Sequence, residues 1–216
     1  MNKKIKLFLV RHGETYLNKY NKLQGWTDSP LTENGKRIVT KTGKRLKNVP
    51  FHYIYTSDLE RTVETAKLIL EQNRNNKNRN IHKNNNLREV FFGSFEGEYI
   101  DDFYKKVLQH SGCNNTTALY KNHSLEEVMN FIKKIDPFSH AENYPEFWKR
   151  IEIGLNEIVS QCCNNENILL VTHGVVIKTI INEFSKKGNI EQEIKNSSIS
   201  ILEYSNNTFS VVSING

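Results

Sequence analysis

Apolar residues recur along this chain with two periods, and the period changes mark out its elements. The run Ile5-Lys6-Leu7-Phe8-Leu9-Val10 is short and dense enough for a strand buried on both faces of a parallel sheet. A turn around Asp28-Ser29-Pro30 follows it. Thr32 is then placed to N-cap a helix running through Ile38, Val39 and Leu46, with Gly35 and Gly43 weakening it and Pro50 closing the region. Phe51 to Thr56 reads as a second strand. Ser57-Asp58 is expected to cap the next helix, whose apolar positions are Leu59, Val63, Ala66, Ile69 and Leu70 and whose first turn carries Arg61. The asparagine-rich stretch from Gln72 to Asn86 reads as a solvated loop enclosing a short strand at Ile81-His82.

From Glu98 to Trp148 the period is helical throughout, with Leu125, Val128, Met129, Ile132 and Ile135 along one face. This stretch is expected to be a helical cap inserted into the sheet domain. A further helix, Pro145 to Cys162, turns Phe147, Ile151, Leu155, Ile158 and Val159 inward and leads to a strand at Ile168 to Thr172. His173-Gly174 follows, then a helix from Val175 to Phe184. Ile199 to Tyr204 and Thr208 to Ser213, joined by Ser205-Asn206-Asn207, form a hairpin that closes one side of the sheet. Alternating strands and helices with a terminal hairpin predict a three-layer α/β/α fold with a mostly parallel central sheet. The whole chain, 1–216, reads as one domain with the cap at about 98–148.

Composition narrows the function classes only a little. A chain of 216 residues is long enough for one well-buried core. Its 30 Lys and Arg against 24 Asp and Glu give a formal charge of +6, which favours an anionic partner without choosing among them. No zinc-finger spacing or continuous basic helix points to nucleic acid. Cys113, Cys162 and Cys163 do not make a disulfide framework, and none has the cationic surroundings of a nucleophilic thiol. No apolar run approaches the roughly 18 residues of a membrane span, so a cytoplasmic protein without a membrane partner is expected. The oligomeric state is not readable.

The chemistry gathers at strand ends. Ligands in open α/β sheets collect beyond the C-terminal ends of the strands, a rule that brings Arg11-His12, Ser57 to Arg61 and His173-Gly174 to one rim. Two arginines there offer planar forks for a phosphate, and an imidazole supplies a neutral nucleophile near physiological pH.

The residues carrying these groups resemble a known family. Leu9-Val10-Arg11-His12-Gly13-Glu14-Thr15, Asn18, and Leu23-Gln24-Gly25-Trp26-Thr27-Asp28-Ser29-Pro30-Leu31-Thr32-Glu33-Asn34-Gly35 resemble the opening of the histidine phosphatase superfamily, the phosphoglycerate mutase-like proteins. The likeness continues in Tyr55 to Ala66, Leu87 to Gly97 and Leu170 to Gly174. It implies that His12 accepts the phosphoryl group, that Arg11, Arg61 and His173 surround its oxygens, and that Glu89 is the proton donor. Asn18, Gln24, Gly25 and Gly174 match pocket positions, Glu14 an orienting residue, and Asp28 reads as a turn residue. Surrounding cations would keep His12 neutral and stabilise transition-state charge, so neither metal nor cofactor is expected.

The chain also departs from the family. Ala141-Glu142-Asn143 stands where phosphatase members often carry Gly-Glu-Ser before an arginine, here Arg150. After the acid it reads Phe91-Phe92-Gly93-Ser94-Phe95-Glu96-Gly97, a phosphatase-like form, where cofactor-dependent mutases carry Glu-Tyr-Tyr, a lysine and paired arginines. No arginine lies between Glu98 and Lys149, leaving Lys105, Lys106 and Lys121. Hydrolysis of a small phosphate monoester is therefore expected ahead of phosphoglycerate mutation or non-catalytic phospho-ligand binding. Sugar phosphates, phosphoglycerate-like acids, ribazole phosphate and phosphorylated amino acids all remain candidate substrates.

Overall fold

Alternation along the strands builds two hydrophobic layers, one on each face of a six-stranded sheet. The structure is a computed structural model and describes residues 3–75, 80–185 and 193–216; the loop expected at Gln72 to Asn86 lies partly outside them, at 76–79. The strands are β1 (Ile5–Arg11), β2 (Tyr53–Thr56), β3 (Ile81–Lys83), β4 (Glu166–Thr172), β5 (Ile199–Ser205) and β6 (Thr208–Ser213), in the order β3-β2-β4-β1-β5-β6. β3, β2, β4 and β1 run parallel, and β5 pairs antiparallel with β1 and with β6. The hairpin turn places Asn206 and Asn207 at φ 51° and 59°, the left-handed region that asparagine tolerates best among residues with a Cβ.

The helices are α1 (Tyr16–Lys19), α2 (Glu33–Arg45), α3 (Glu60–Gln72), α4 (Ile100–Ser111), α5 (Thr116–Asn122), α6 (Leu125–Ile135), α7 (Tyr144–Gln161) and α8 (Gly174–Phe184). Val10, Ile54, Leu169 and Val171 pack with Val39, Ala66 and Ile69 of α2 and α3. The alternate positions Leu7, Leu9, Ile168 and Leu170 pack with Ile151, Leu155, Ile177 and Ile180 of α7 and α8. A period of two on each central strand thus supplies both faces, giving the three-layer α/β/α arrangement. Phe103, Val107, Leu119, Val128, Met129 and Ile132 of α4 to α6 join this second cluster, so these helices share the sheet's core.

Several helix ends follow sequence rules. The Thr32 hydroxyl accepts from Gly35 N–H (2.9 Å), and capping boxes pair Ser124 with Glu127 and Asn143 with Glu146. Trp148, placed at the end of the expected cap stretch, belongs to α7. Ser57-Asp58, expected to cap α3, does not do so. Its N-cap position is Leu59, which makes no side-chain cap, and Glu60 N–H donates instead to Asp28 Oδ2 (2.6 Å) from a distant loop. Ser57 and Asp58 have stronger partners elsewhere, described below.

Candidate active site

Three parallel strands end level with one another. Arg11 stands opposite Thr172, and Thr56 opposite Val171, so the next residues, His12, Ser57 and His173, emerge at one rim. That register gathers residues up to 161 positions apart in sequence, as the strand-end rule requires.

His12 is 3% exposed, and its Nδ1 lies 2.8 Å from its neighbour's carbonyl, Gly13 O. A carbonyl only accepts, so Nδ1 carries the proton and Nε2 the lone pair. Burial holds the His12 pKa well below the usual histidine range, and Arg61 and Arg11 push it further down. The imidazole is thereby kept neutral.

His173 is fully buried, its ring centroid 5.3 Å from that of His12. Its Nδ1 lies 3.1 Å from Arg61 Nη2. A guanidinium has no acceptor, so Nδ1 accepts and Nε2–H donates to Ser57 Oγ (2.8 Å). Ser57 Oγ lies 2.9 Å from Thr62 Oγ1, which donates to Leu59 O (2.8 Å). This chain of hydroxyls fixes the ring. Burial, followed by Arg61 and His12, holds the His173 pKa low as well.

Arg61 has a wholly buried side chain. Its Nη1 donates to Thr27 O (2.9 Å) and Asp28 Oδ1 (3.0 Å), and its Nη2 to Gly25 O (2.6 Å) and His173 Nδ1 (3.1 Å). A guanidinium carries five N–H donors. The fifth, Nε–H, is buried with no partner. Arg11 repeats the pattern: Nη1 donates to Ile194 O (2.5 Å) and Glu193 Oε1 (3.3 Å), while Nε is buried and unpartnered. The expected grip by two open forks is therefore narrower here, since protein acceptors already occupy the Arg61 fork. At Arg61 this leaves a fixed charge and one buried donor without an acceptor among the described residues, and at Arg11 the Nε–H is buried in the same state, which costs about 1–3 kcal/mol unless an acceptor arrives.

Glu89, 6% exposed, sits at the N-terminus of α8. Its Oε2 accepts from Val175 N–H (3.1 Å), and its Oε1 from Val176 N–H (3.3 Å) and Val90 N–H (3.1 Å). The carboxyl group thus caps a helix whose N-cap residue, His173, makes no side-chain cap. Burial raises its pKa above the ordinary glutamate value, against the pull of these N–H groups and of Arg11 and Arg61.

The remaining expected site residues are framework as well as lining. Asn18 completes the capping box of α1, its Oδ1 accepting from Thr15 N–H (3.2 Å) and Asn196 Nδ2 (3.4 Å). Gln24 bridges Thr15 Oγ1 (2.5 Å) and Ser29 Oγ (3.3 Å). At Gly25 a Cβ would fall 2.2 Å from Val90 O and 2.3 Å from Glu96 Oε1, so only glycine lets this loop meet the Glu89 segment. Gly174 begins α8 against the Arg11 guanidinium, and Glu14 Oε1 accepts from Thr32 Oγ1 (2.5 Å). Cys162 is buried and Cys163 exposed, and all three cysteines are free.

Sequence reasoning missed several supports. Asp28, read as a turn residue, pairs with Arg61 and caps α3. Glu96 accepts from the N–H groups of Gly25 (3.2 Å), Trp26 (3.0 Å), Thr27 (2.9 Å) and Phe92 (3.1 Å), pinning the loop that receives Arg61. Its only sequence signal was a carboxylate amid Phe91, Phe92 and Phe95. Trp26 packs at a tilt against Phe91 (4.9 Å), lies under Arg88 (4.7 Å) and donates from Nε1 to Glu89 O (2.9 Å). Arg88 is itself held by Asp58, at 2.7 and 2.5 Å. No group of three or more His, Cys, Asp or Glu side chains converges as metal ligands among the described residues, and no described helix is long and apolar enough to cross a membrane.

Known proteins resemble this chain in sequence and fold. A crystal structure of phosphoglycerate mutase from Bacillus anthracis superposes with a TM-score of 0.94 at 32% identity, covering 99% of this chain and 94% of that one. A 2,3-bisphosphoglycerate-dependent phosphoglycerate mutase of Buchnera aphidicola is 30% identical over 220 residues, 94% of this chain and 95% of its own length. A broad-specificity phosphatase of Saccharomyces cerevisiae, YOR283W, is 27% identical over 209 residues, 94% of this chain and 81% of its own. Family-level likeness thus supports an enzyme of the phosphohydrolase and mutase class acting on small phosphorylated metabolites. With residues 7–216 matching its branch 1, and with the fold in agreement, the chain belongs to the histidine phosphatase superfamily.

Proposed function

We propose that the chain is a phosphomonoesterase that hydrolyses a small phosphorylated metabolite through a phosphohistidine at His12. The observation that carries this reading is the pair of buried, unpartnered Nε–H groups on Arg11 and Arg61 beside a neutral imidazole. An anion bound against both arginines would give each donor an acceptor, and a phosphoryl group gains most, since its equatorial oxygens gather charge in the transition state. In the first step His12 Nε2 attacks phosphorus, the P–O ester bond breaks, and Glu89 gives its proton to the departing oxygen. In the second, water attacks the phosphohistidine, Glu89 takes the water's proton, and the P–N bond breaks to release inorganic phosphate. Arg11 and Arg61 hold the phosphoryl oxygens through their charge and their Nε–H groups, while His173, bonded to Arg61 and Ser57, fixes the Arg61 side of the site. The helices α4 to α6 are read as a cap that meets the alcohol portion of the substrate.

Mutase activity is the second reading, favoured by the 0.94 TM-score to the Bacillus anthracis mutase. Against it stands the supply of cations for an acceptor sugar acid. Between Glu98 and Lys149 there is no arginine, Lys106 is paired with Glu98 and Lys133 with Glu146, and Lys105, Lys121 and Lys134 are exposed. An ammonium does not reproduce the bidentate hold of a guanidinium on a carboxylate.

One experiment addresses both readings. Protein quenched during turnover should carry acid-labile phosphate on His12, absent from H12A, and should release phosphate from 3-phosphoglycerate or other esters faster than it isomerises 3- to 2-phosphoglycerate with 2,3-bisphosphoglycerate present. Normal turnover by H12A would rule out the nucleophile, and isomerisation outrunning phosphate release would make the protein a mutase.

A further inference from the structure

Glu89 lies in a segment with no regular structure to hold it. Residues 88–92 run between two single 3-10 turns, at Asn85–Leu87 and Gly93–Phe95, and belong to neither helix nor strand. Side chains take over the role of a hydrogen-bond ladder. Arg150 of α7 donates to three carbonyls in and just before this stretch: from Nη1 to Asn86 O (3.0 Å) and Arg88 O (2.6 Å), and from Nη2 to Glu89 O (2.7 Å). Its remaining bonds go to Glu142, Nε to Oε1 (2.6 Å) and Nη2 to Oε2 (2.7 Å). Glu142 in turn accepts from Phe91 N–H (2.8 Å) and donates its own N–H to Phe91 O (2.9 Å). Backbone groups on both sides of Glu89, and that of Glu89 itself, are thus tied to one ion pair. The two side chains are only 14% and 13% exposed, so salt screens the pair little.

We propose that Arg150 and Glu142 form a positioning clamp for the carboxyl group of Glu89, holding it against the first turn of α8 where it delivers its proton to the leaving oxygen. The clamp touches neither phosphate nor leaving group. Its effect runs through the Glu89 backbone, because a bound carbonyl fixes the direction in which that residue's side chain departs. Misplacing a reacting group by about 1 Å can cost roughly 100-fold in rate. This inference rests on the reading of Glu89 as the acid.

Leaving-group dependence separates the two. An alkoxide needs a proton as it departs, whereas 2,4-dinitrophenolate leaves readily without one. R150M is expected to lower kcat/KM, which the shared hydrolysis of the phosphohistidine does not enter, by roughly 10- to 100-fold on an alkyl phosphate, with little change on 2,4-dinitrophenyl phosphate. R150K should resemble R150M, since a point-like ammonium cannot bind three carbonyls and a carboxylate together, and E142Q should shift the ratio in the same direction by less. The ratio between two substrates in one preparation does not depend on how much of the protein is folded. E89Q serves as the reference. If E89Q loses the alkyl ester selectively while R150M slows both substrates equally, Arg150 is a structural residue and the clamp is overturned. If E89Q shows no selectivity, the acid is not Glu89, and the clamp falls with that reading.

Discussion

Arg61 commits four of its five N–H groups to protein acceptors, so its position is set before any substrate arrives. In the proposed reaction its removal deletes a transition-state donor, and it breaks the ion pair with Asp28 and one of the two bonds that hold the His173 ring. R61A is expected to keep its secondary structure by circular dichroism while kcat/KM falls by about 100-fold or more. R61K should recover little of this, because three donors on a flexible stem cannot replace four fixed bonds and a fifth donor. Proton transfer leaves a separate mark. Burial raises the Glu89 pKa, so the protonated form needed in the first step persists above the usual glutamate range and disappears as pH rises through that raised value. The kcat/KM profile should carry an alkaline limb that E89Q lacks. Substrate ionisation affects both enzymes alike, so an identical limb in E89Q would remove Glu89 from the acid's role. His12 makes the opposite contribution, since its depressed pKa keeps the nucleophile neutral on the acid side.

Among the elements, loops positioned by side chains matter as much as helices and strands. The loop 25–28 is held by Glu96 below and Arg61 above, and it meets the Glu89 segment at a distance only glycine allows. G25A is therefore expected to displace that contact, lowering both the thermal midpoint and turnover; a variant with unchanged midpoint and activity would show that the loop adjusts freely. Gly35 makes a related point about α2. The sequence reading counted it as a weakness in the helix, yet a Cβ there would fall 2.2 Å from Glu14 O, so its smallness is what lets α2 approach the residues after His12. Core strands behave more simply. Leu170 is fully buried in β4, and L170A should cost about 2–5 kcal/mol, measurable by denaturant unfolding.

For the whole molecule, buried titrating groups tie the site to folding. His12 and His173 both have pKa values held below the ordinary 6.5, so the unfolded chain binds protons that the folded one refuses. Their contribution to stability is complete above about pH 6.5 and is lost as pH falls from there toward the folded values, at up to about 1.4 kcal/mol per pH unit for each proton. Glu89 acts with the opposite sign. Its raised pKa contributes stability below the unfolded value of 4.5, and this is lost as pH rises through the folded one. Unfolding midpoints measured between pH 7.5 and 5 should therefore decline toward acid, and H173Q should decline less steeply than the unaltered protein. Parallel slopes would mean that His173 does not take up its proton on unfolding.

Much of this was legible in the amino-acid sequence, because strand periodicity, the helix cap at Thr32 and the order of motifs depend on residues near one another in the chain. Leu7 and Leu9 against Phe8 and Val10 already encode a sheet covered on both faces, and His12, Ser57 and His173 each follow a strand directly, so a parallel sheet must bring them together. Local rules failed where a distant group outcompeted a nearby one. Ser57 lies where a cap is expected, but it is bound to His173, and Asp28, 32 residues before Glu60, caps the helix instead. The use of the Arg61 fork by Thr27, Asp28, Gly25 and His173, the role of Glu96, and the five bonds of Arg150 share this origin. A sequence states which donors and acceptors exist, while desolvation in the folded core decides which must pair. That choice is made only when the chain has closed around them, since a buried polar group takes whatever partner the tertiary structure brings within reach.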